Sequence, residues 1–144
     1  MSESPTELDL LQLLKAMQVL ERNASVSLMY SGLRIPQFRL LDEVEKLGRC
    51  TVTELTELLA ITRGTCSVLV NELLKNGLLA SIEHPSDRRS FYVSMTEHGL
   101  GKLSVARRDL GVMQKELKRQ LDPAVIGPLN AFAIHLLKGH QPAA

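Results

Sequence analysis

Aromatic side chains are scarce in this chain of 144 residues, which has three Phe, two Tyr and no Trp. The core must therefore be aliphatic, and an aliphatic composition favours helices packed on helices over a β-sandwich. The length suggests one domain, and folding at this size buries roughly 70% of the unfolded surface. The sequence thus predicts a mainly helical domain with a hydrophobic core of its own.

Cysteines and long apolar runs are also few, and each absence excludes a class of protein. Cys50 and Cys66 match no metal spacing and no disulfide framework, which is typical of reduced thiols in a cytoplasm. No apolar run reaches the ~18 residues of a membrane span. The polar, acidic start MSESPTELDLLQLLK is not typical of a signal peptide. We therefore expect a cytoplasmic protein without membrane contact.

The chain carries a net charge of only +1, so any argument for nucleic-acid binding depends on where the charges lie. Its four histidines are scattered along the sequence. There is no paired-histidine metal motif, no Gly-rich phosphate loop and no setting for an activated Ser or Cys. We expect no catalytic site, no metal and no cofactor.

The two ends of the chain have the pattern of apolar helices. From Glu7 to about Arg22, apolar residues cover nearly the whole helical circumference, so this helix must be buried on all sides. A second copy of the chain would supply that cover, although a central helix of a monomer would show the same pattern. A C-terminal helix is predicted after Asp122-Pro123, with Pro128 expected to split or kink it.

Three shorter helices are predicted in the middle of the chain. The first, in RIPQFRLLDEVEKLG, ends at Gly48, and the second, TVTELTELLA, is capped by Thr51 or Thr53. After a very short turn, RGTCSVLVNELLKNG is capped by Thr62 and ends at Gly77. Two helices joined by so short a turn indicate a helix-turn-helix.

A β-hairpin is predicted directly after this helix pair. Apolar and polar residues alternate on both sides of the turn HPSD, and a long helix capped by Ser94 or Thr96 follows, to about Leu121. The predicted fold is therefore mainly α with a small β-hairpin wing. We expect a winged helix-turn-helix over 32–99, flanked by dimerisation helices over 1–31 and 100–144, in one interleaved domain.

The second helix of the pair has two chemically different faces. One face carries four apolar residues, Cys66, Leu69, Val70 and Leu73. The other presents small, polar and basic residues, namely Arg63, Gly64, Ser67, Val68, Asn71 and Lys75. Short side chains let a helix backbone approach the major groove of DNA, and polar ones reach phosphates and base edges. This face predicts a recognition helix.

Individual residues on that face suit different DNA groups. Arg63 suits guanine or phosphate and Asn71 suits adenine, while Thr65 and Ser67 are adaptable hydrogen-bonding residues. Val68 is an apolar residue there: it fits either a thymine methyl contact or a surface valine without a role.

The hairpin tip adds two adjacent arginines. Arg88 and Arg89 could enter the minor groove, where narrow A·T-rich segments attract arginine, and Asp87 could orient one guanidinium. A solvated hairpin tip is the alternative, but the neighbouring helix pair favours DNA.

These segments resemble the MarR family of bacterial transcriptional regulators. The most specific similarity is Asp87-x-Arg89-x-x-x-Val93-x-x-Thr96-x-x-Gly99 in SDRRSFYVSMTEHG, which is similar to the family's wing signature. TVTELTELLAITRGTCSVLVNELLKNGLL resembles the family's helix pair, and GLRIPQFRLLDEV more weakly resembles the preceding helix. The resemblance covers about 32–101, while the flanking helices agree only in placement and hydrophobicity.

The resemblance implies a homodimer with interleaved first and last helices, which binds a pseudo-palindromic operator on double-stranded DNA, usually as a repressor. It implies that a small phenolic or aromatic carboxylate, or oxidation of a thiol, releases the protein from its operator. The positions of Cys50 and Cys66 do not match those of the oxidation-sensing subgroup. Arg89 would be the minor-groove arginine and Asp87 its partner. Arg63, Thr65, Ser67, Val68 and Asn71 would line the major groove. With the helix cap and the second tip arginine added, the predicted DNA-binding residues are Thr62, Arg63, Thr65, Ser67, Val68, Asn71, Asp87, Arg88 and Arg89.

Two departures from the family weaken the DNA prediction. Val68 and Glu72 stand where family members often carry Arg, so we expect a modest affinity or an unusual operator. A winged helix that has lost strong DNA binding and serves as a protein-interaction module is the alternative. The ligand-binding residues stay undefined, with Tyr30, Arg39 and His98 as candidates.

Overall fold

The structure, a computed structural model of the chain, describes residues 6–84, 86 and 90–139. It contains six α-helices in this part of the chain: α1 (Leu10–Ser27), α2 (Ile35–Leu47), α3 (Val52–Leu59), α4 (Arg63–Lys75), α5 (Glu97–Gln120) and α6 (Pro123–Gly139). A 3-10 turn, Met29–Ser31, follows α1, and the strands are β1 (Arg49–Thr51), β2 (Leu79–Glu83) and β3 (Phe91–Met95). The predicted winged-helix fold, mainly α with a small wing, is confirmed.

The starts and ends of most helices lie at capping residues that the sequence predicts. Thr51, Thr62 and Thr96 each accept a hydrogen bond from the backbone N–H three residues later, at 3.2, 3.1 and 2.9 Å. Such bonds satisfy backbone donors that have no partner within the helix. At the C-terminal ends, Gly48 and Gly77 have φ angles of +81° and +74°, which favour glycine.

The structure shows where the first and last helices run. The first helix runs from Leu10 to Ser27, beyond the apolar stretch that ends near Arg22, and the N–H of the fully buried Leu28 bonds the carbonyl of Ala24 at 3.0 Å. The last helix is not split at Pro128 but runs through it. A proline inside a helix removes one helical hydrogen bond and its ring crowds the carbonyl four residues earlier, but here the helix continues on both sides of it.

The wing belongs to a sheet of three strands rather than two. β3 lies in the centre, antiparallel to β2 on one side and to β1 on the other. Val93 pairs with Cys50 of β1 and with Ser81 of β2, and its side chain is fully buried. The sheet therefore anchors the root of the hairpin in the core.

One aliphatic core joins α2, α3, α4, the sheet and the first half of α5. Its largest fully buried side chains are Leu28, Leu40, Leu41, Leu55, Leu73 and Leu103. By contrast, α1 and α6 contain no buried residue, and their exposed apolar residues include Leu11, Leu14, Leu129, Phe132, Ile134 and Leu137. Among the described residues, no helix has both the length and the apolar character to cross a membrane.

A charged network connects α2 to α5. Arg107 donates to Asp42 at 2.6 Å and to Glu45 at 2.7 Å, and Lys46 pairs with Asp42 at 2.9 Å. Burial pushes the pKa of Asp42 upward, but the hydrogen bonds from Arg107 and Lys46 outweigh it, so this pKa lies below its ordinary value of 3.8. Because the folded-state pKa is lowered, the charged carboxylate stabilises the fold above pH 3.8 and loses this effect as the pH falls through the lower value.

Asp42→Asn is therefore expected to lower the free energy of unfolding by about 1 kcal/mol at pH 7, as for a partly exposed network. The difference from the unmodified protein should shrink as the pH falls below 3.8 and through the lowered pKa of Asp42 in the folded protein, where its carboxylate becomes protonated. Urea unfolding of both proteins at neutral and acidic pH measures this. An equal difference at both pH values would show that the charge of Asp42 does not contribute.

Candidate nucleic-acid interface

The two faces of α4 lie as the sequence predicts. The four apolar residues Cys66, Leu69, Val70 and Leu73 are buried, at 5% exposure or less. On the opposite face, Arg63, Gly64, Thr65, Val68, Asn71 and Lys75 are exposed, while Ser67 is half-buried. α4 thus offers solvent a face made of two cations and short side chains.

Side-chain bonds order the start of α4. The Thr62 hydroxyl donates to the Thr65 hydroxyl at 2.9 Å and accepts from the Thr65 N–H at 3.1 Å. Arg63 donates through Nη1 to the hydroxyl of Thr53 at 3.0 Å. Thr62 is therefore the N-cap of α4. The Arg63 guanidinium lies against the start of α3, where it bonds Thr53.

A cleft brings the start of α3, the exposed face of α4 and the start of β3 together. Arg63, Ser67 and Asn71 from α4 face Thr53 and Phe91 across it. The root of the wing therefore lies beside the helix face, as two elements that contact one duplex would require. Asp87, Arg88 and Arg89, the predicted residues of the tip, lie outside the described residues.

A stack of three side chains on the hairpin was not predicted from the sequence. The rings of His84 and Tyr92 stack with centroids 4.7 Å apart, and the Arg49 guanidinium lies 4.6 Å from the centre of the Tyr92 ring. The N–H of Ser86 donates to Nδ1 of His84 at 3.2 Å. The alternation in β3 predicts that Tyr92 and the buried Val93 point to opposite faces of the sheet. Arg49, however, lies on a strand that the periodicity of the sequence does not reveal.

Glu72, which departs from the family pattern, is paired rather than free. Its Oε2 accepts hydrogen bonds from Arg34 at 2.5 Å and from Gln37 at 3.1 Å. Gln37 also accepts the N–H of Arg34 through Oε1 at 3.0 Å. These bonds tie α4 to the start of α2, so the Glu72 carboxylate is directed to a neighbouring helix and its charge is balanced by Arg34.

The three ligand candidates do not share one cavity. Arg39 lies beside an apolar cavity between α1, α2 and α5, where it pairs with Glu21 at 3.5 Å. Tyr30 and His98 line a different depression near the start of α5. No group of three or more potential metal ligands occurs in the part of the chain that is described.

The two cysteines are buried in the winged helix. Cys66 contacts the carbonyl of Val52 at 3.7 Å, and burial raises the pKa of the Cys50 thiol to about 12, with Glu54 adding to the effect. A thiol must lose its proton to react.

Neither cysteine should therefore react with a thiol-specific reagent in the folded protein at pH 8. Both should react once the chain is unfolded in denaturant, and the number of thiols labelled against time measures this. Rapid labelling of the folded protein would instead assign an oxidation-sensitive role to one of them.

This winged helix was compared with known protein families, sequences and structures. The profile of the MarR family matches residues 31–90, a region that contains the helix pair and β2 and ends just before β3. The winged-helix part of the chain is therefore similar to that of MarR-family proteins. The comparison with curated protein sequences found no match.

Several solved structures have the same fold over almost the whole chain. A MarR family transcriptional regulator from Streptomyces coelicolor, in complex with DNA, has a TM-score of 0.82 at 24% identity and covers 99% of this chain and 95% of its own. A cysteine mutant of MarR from E. coli with operator DNA scores 0.78 at 22% identity, over 90% and 99%. NadR in complex with 4-hydroxyphenylacetate scores 0.72 at 16% identity, over 96% and 99%.

Proposed function

We propose that this protein is a homodimeric, sequence-specific DNA-binding transcription regulator that represses its target genes until a small molecule releases it. The observation that carries the proposal is the exposed face of α4, which lies beside the root of the wing. Solved proteins of the same fold, from S. coelicolor and E. coli, were captured on DNA. The protein would act in the cytoplasm, without a catalytic activity or a cofactor.

The DNA-binding residues proposed are those on α4 and at the tip of the wing. Thr62, Arg63, Thr65, Ser67, Val68 and Asn71 would contact the major groove and its phosphates. Arg88 and Arg89 would reach the minor groove, with Asp87 orienting one guanidinium. Since the whole chain has a net charge of +1, these few cations must supply most of the attraction to phosphate.

The dimer is proposed from the apolar surfaces of α1 and α6. Leu11 is 73% exposed and Leu137 is 69% exposed in the single chain, and neither helix contains a buried residue. Contiguous exposed apolar surface on a small domain marks a protein contact. A second copy would cover these helices and place two α4 helices about one turn of DNA apart, roughly 34 Å.

An effector of the phenolic or aromatic carboxylate class is part of the proposal. The cavity beside Arg39 is lined largely by apolar side chains, among them Met17, Leu28 and Phe38. Arg39 would pair with the carboxylate, in place of its ion pair with Glu21. The relative NadR was solved with 4-hydroxyphenylacetate, a compound of this class.

A protein-interaction module is the second candidate, and the near-zero net charge favours it. The absence of arginine at positions 68 and 72 also favours it, although Arg34 balances the negative charge of Glu72.

Selection of bound fragments from the host genome separates the two candidates. A regulator should enrich a pseudo-palindromic site and bind it with an affinity that falls steeply with salt, because bound phosphates release counterions. The same fragments, titrated with aromatic carboxylates, would identify the effector. Failure to enrich any sequence would leave the interaction module as the better account.

The wing arginines have their own expected result. Replacing Arg88 and Arg89 with alanine should weaken binding to the selected site by about 1–3 kcal/mol if one of them reads the minor groove. Fluorescence anisotropy at fixed salt measures the change, and Arg119→Ala, near the far end of α5, is the control for loss of a surface arginine. An unchanged affinity would remove the wing from the proposed interface.

A further inference from the structure

Val68 occupies an unusual place on the proposed DNA-binding face. Its side chain is 57% exposed, on the same side of α4 as Gly64 one turn earlier and Asn71 nearly one turn later. A Cβ added at Gly64 would meet no atom within 4 Å, so nothing stands in front of the helix there. The backbone of α4 can therefore come close to a partner at the position where a branched apolar side chain points outward.

Two polar side chains one turn from Val68 already have hydrogen-bond partners within the protein. One turn later, Oε2 of Glu72 accepts hydrogen bonds from Arg34 and Gln37, so this oxygen is less available to accept the amino group of a cytosine. One turn earlier, Thr65 is bonded to the capping hydroxyl of Thr62. At the centre of this face, Val68 therefore offers two methyl groups to a base edge.

Only one group in the major groove of DNA offers apolar surface to such a side chain. Thymine carries a methyl at C5, whereas the other major-groove edges present hydrogen-bond donors and acceptors. A valine against a donor or acceptor would strip its water without replacing the hydrogen bond, which is unfavourable. Val68 should therefore favour thymine by contact and disfavour the other bases by desolvation.

We propose that Val68 is a specificity-determining residue that reads the C5 methyl of one thymine in each half-site. This inference rests on the proposed DNA-binding function. It also accounts for the absence of a second arginine on α4: sequence is read at this position by shape and apolar contact, and Asn71 supplies hydrogen bonds beside it.

The test uses the full-length protein and an operator selected from random double-stranded DNA. Each thymine is replaced in turn by deoxyuridine, which removes the C5 methyl and leaves the base pairing unchanged. Burial of one such carbon contributes about 0.8 kcal/mol, so one position per half-site should lose about fourfold in affinity, and about fifteenfold when both half-sites are changed. The other thymines serve as internal controls.

Val68→Ala completes the test. Alanine is a better helix former than valine and the position is exposed, so the variant should fold, which its thermal unfolding confirms. It should bind the thymine operator about fourfold more weakly per half-site and no longer distinguish thymine from deoxyuridine at the sensitive position.

Three results would overturn the proposal. Deoxyuridine could leave the affinity within twofold at every thymine, or Val68→Ala could remain as sensitive to it as the unmodified protein. In either case DNA binding stands and the role of Val68 falls. Selection of no DNA sequence at all would overturn the proposed function, and this inference with it.

Discussion

Replacing Gly99 with alanine is expected to lower the free energy of unfolding by about 3 kcal/mol or more, the largest effect of any single methyl group that we predict. A Cβ at Gly99 would lie 2.1 Å from the carbonyl oxygen of Leu78, far inside van der Waals contact. That carbonyl has little freedom to move, because it accepts the N–H of Thr96 at 3.2 Å and the Leu78 N–H bonds the carbonyl of Leu73 at 2.9 Å.

The same substitution two residues later is the matched control. Gly101 also lies in α5, and a Cβ there would meet nothing within 4 Å. Because alanine is the better helix former, Gly101→Ala should raise the free energy of unfolding by about 0.5–1 kcal/mol. Urea unfolding of both variants measures the contrast. Equal stabilities would show that the start of α5 does not pack against Leu78 as described.

Charges on the exposed apolar helices are expected to have the largest effect on DNA binding. The double variant Leu11→Lys/Leu137→Lys places one lysine on α1 and one on α6, at side chains that are 73% and 69% exposed in the single chain. The winged helix should keep its fold, because neither residue belongs to its core. If a second copy covers these helices, the lysines would be buried without a partner and the dimer would dissociate.

Loss of the dimer should reduce operator affinity by about 100-fold or more, because the two half-sites would no longer be bound together. Sedimentation velocity and fluorescence anisotropy measure the two consequences. Leu58→Lys, at an exposed leucine of α3, is the control for the oligomeric state. A double variant that remains dimeric would exclude α1 and α6 as the interface.

Much of the fold follows from local sequence patterns. The 3.6-residue period marks the helices, the period of two marks the hairpin, and the threonine caps and glycines place most boundaries. These signals depend on residues within a few positions of each other, such as Thr96, whose hydroxyl bonds the Gly99 N–H. The burial of Cys66, Leu69, Val70 and Leu73 follows from the same local periodicity.

The features that could not be predicted depend on residues far apart in the chain. β1 has only three residues, too few for a period, and exists because β3 pairs with it. The bond between Arg34 and Glu72 joins positions 38 residues apart, and without it the acid looks like an obstacle to DNA binding. The contact of Arg49 with Tyr92 likewise needs the sheet register. No spacing rule connects such residues before the fold is known.

The central claim is that two copies of the chain join through α1 and α6 to present two recognition helices to one operator. Sedimentation equilibrium of the full-length protein at micromolar concentration, alone and with its selected duplex, tests it most directly. A homodimer should have a mass of about 32 kDa in the free state, twice the 16.0 kDa of one chain, and should place two chains on each duplex. A stable species of 16.0 kDa that binds DNA singly would contradict it.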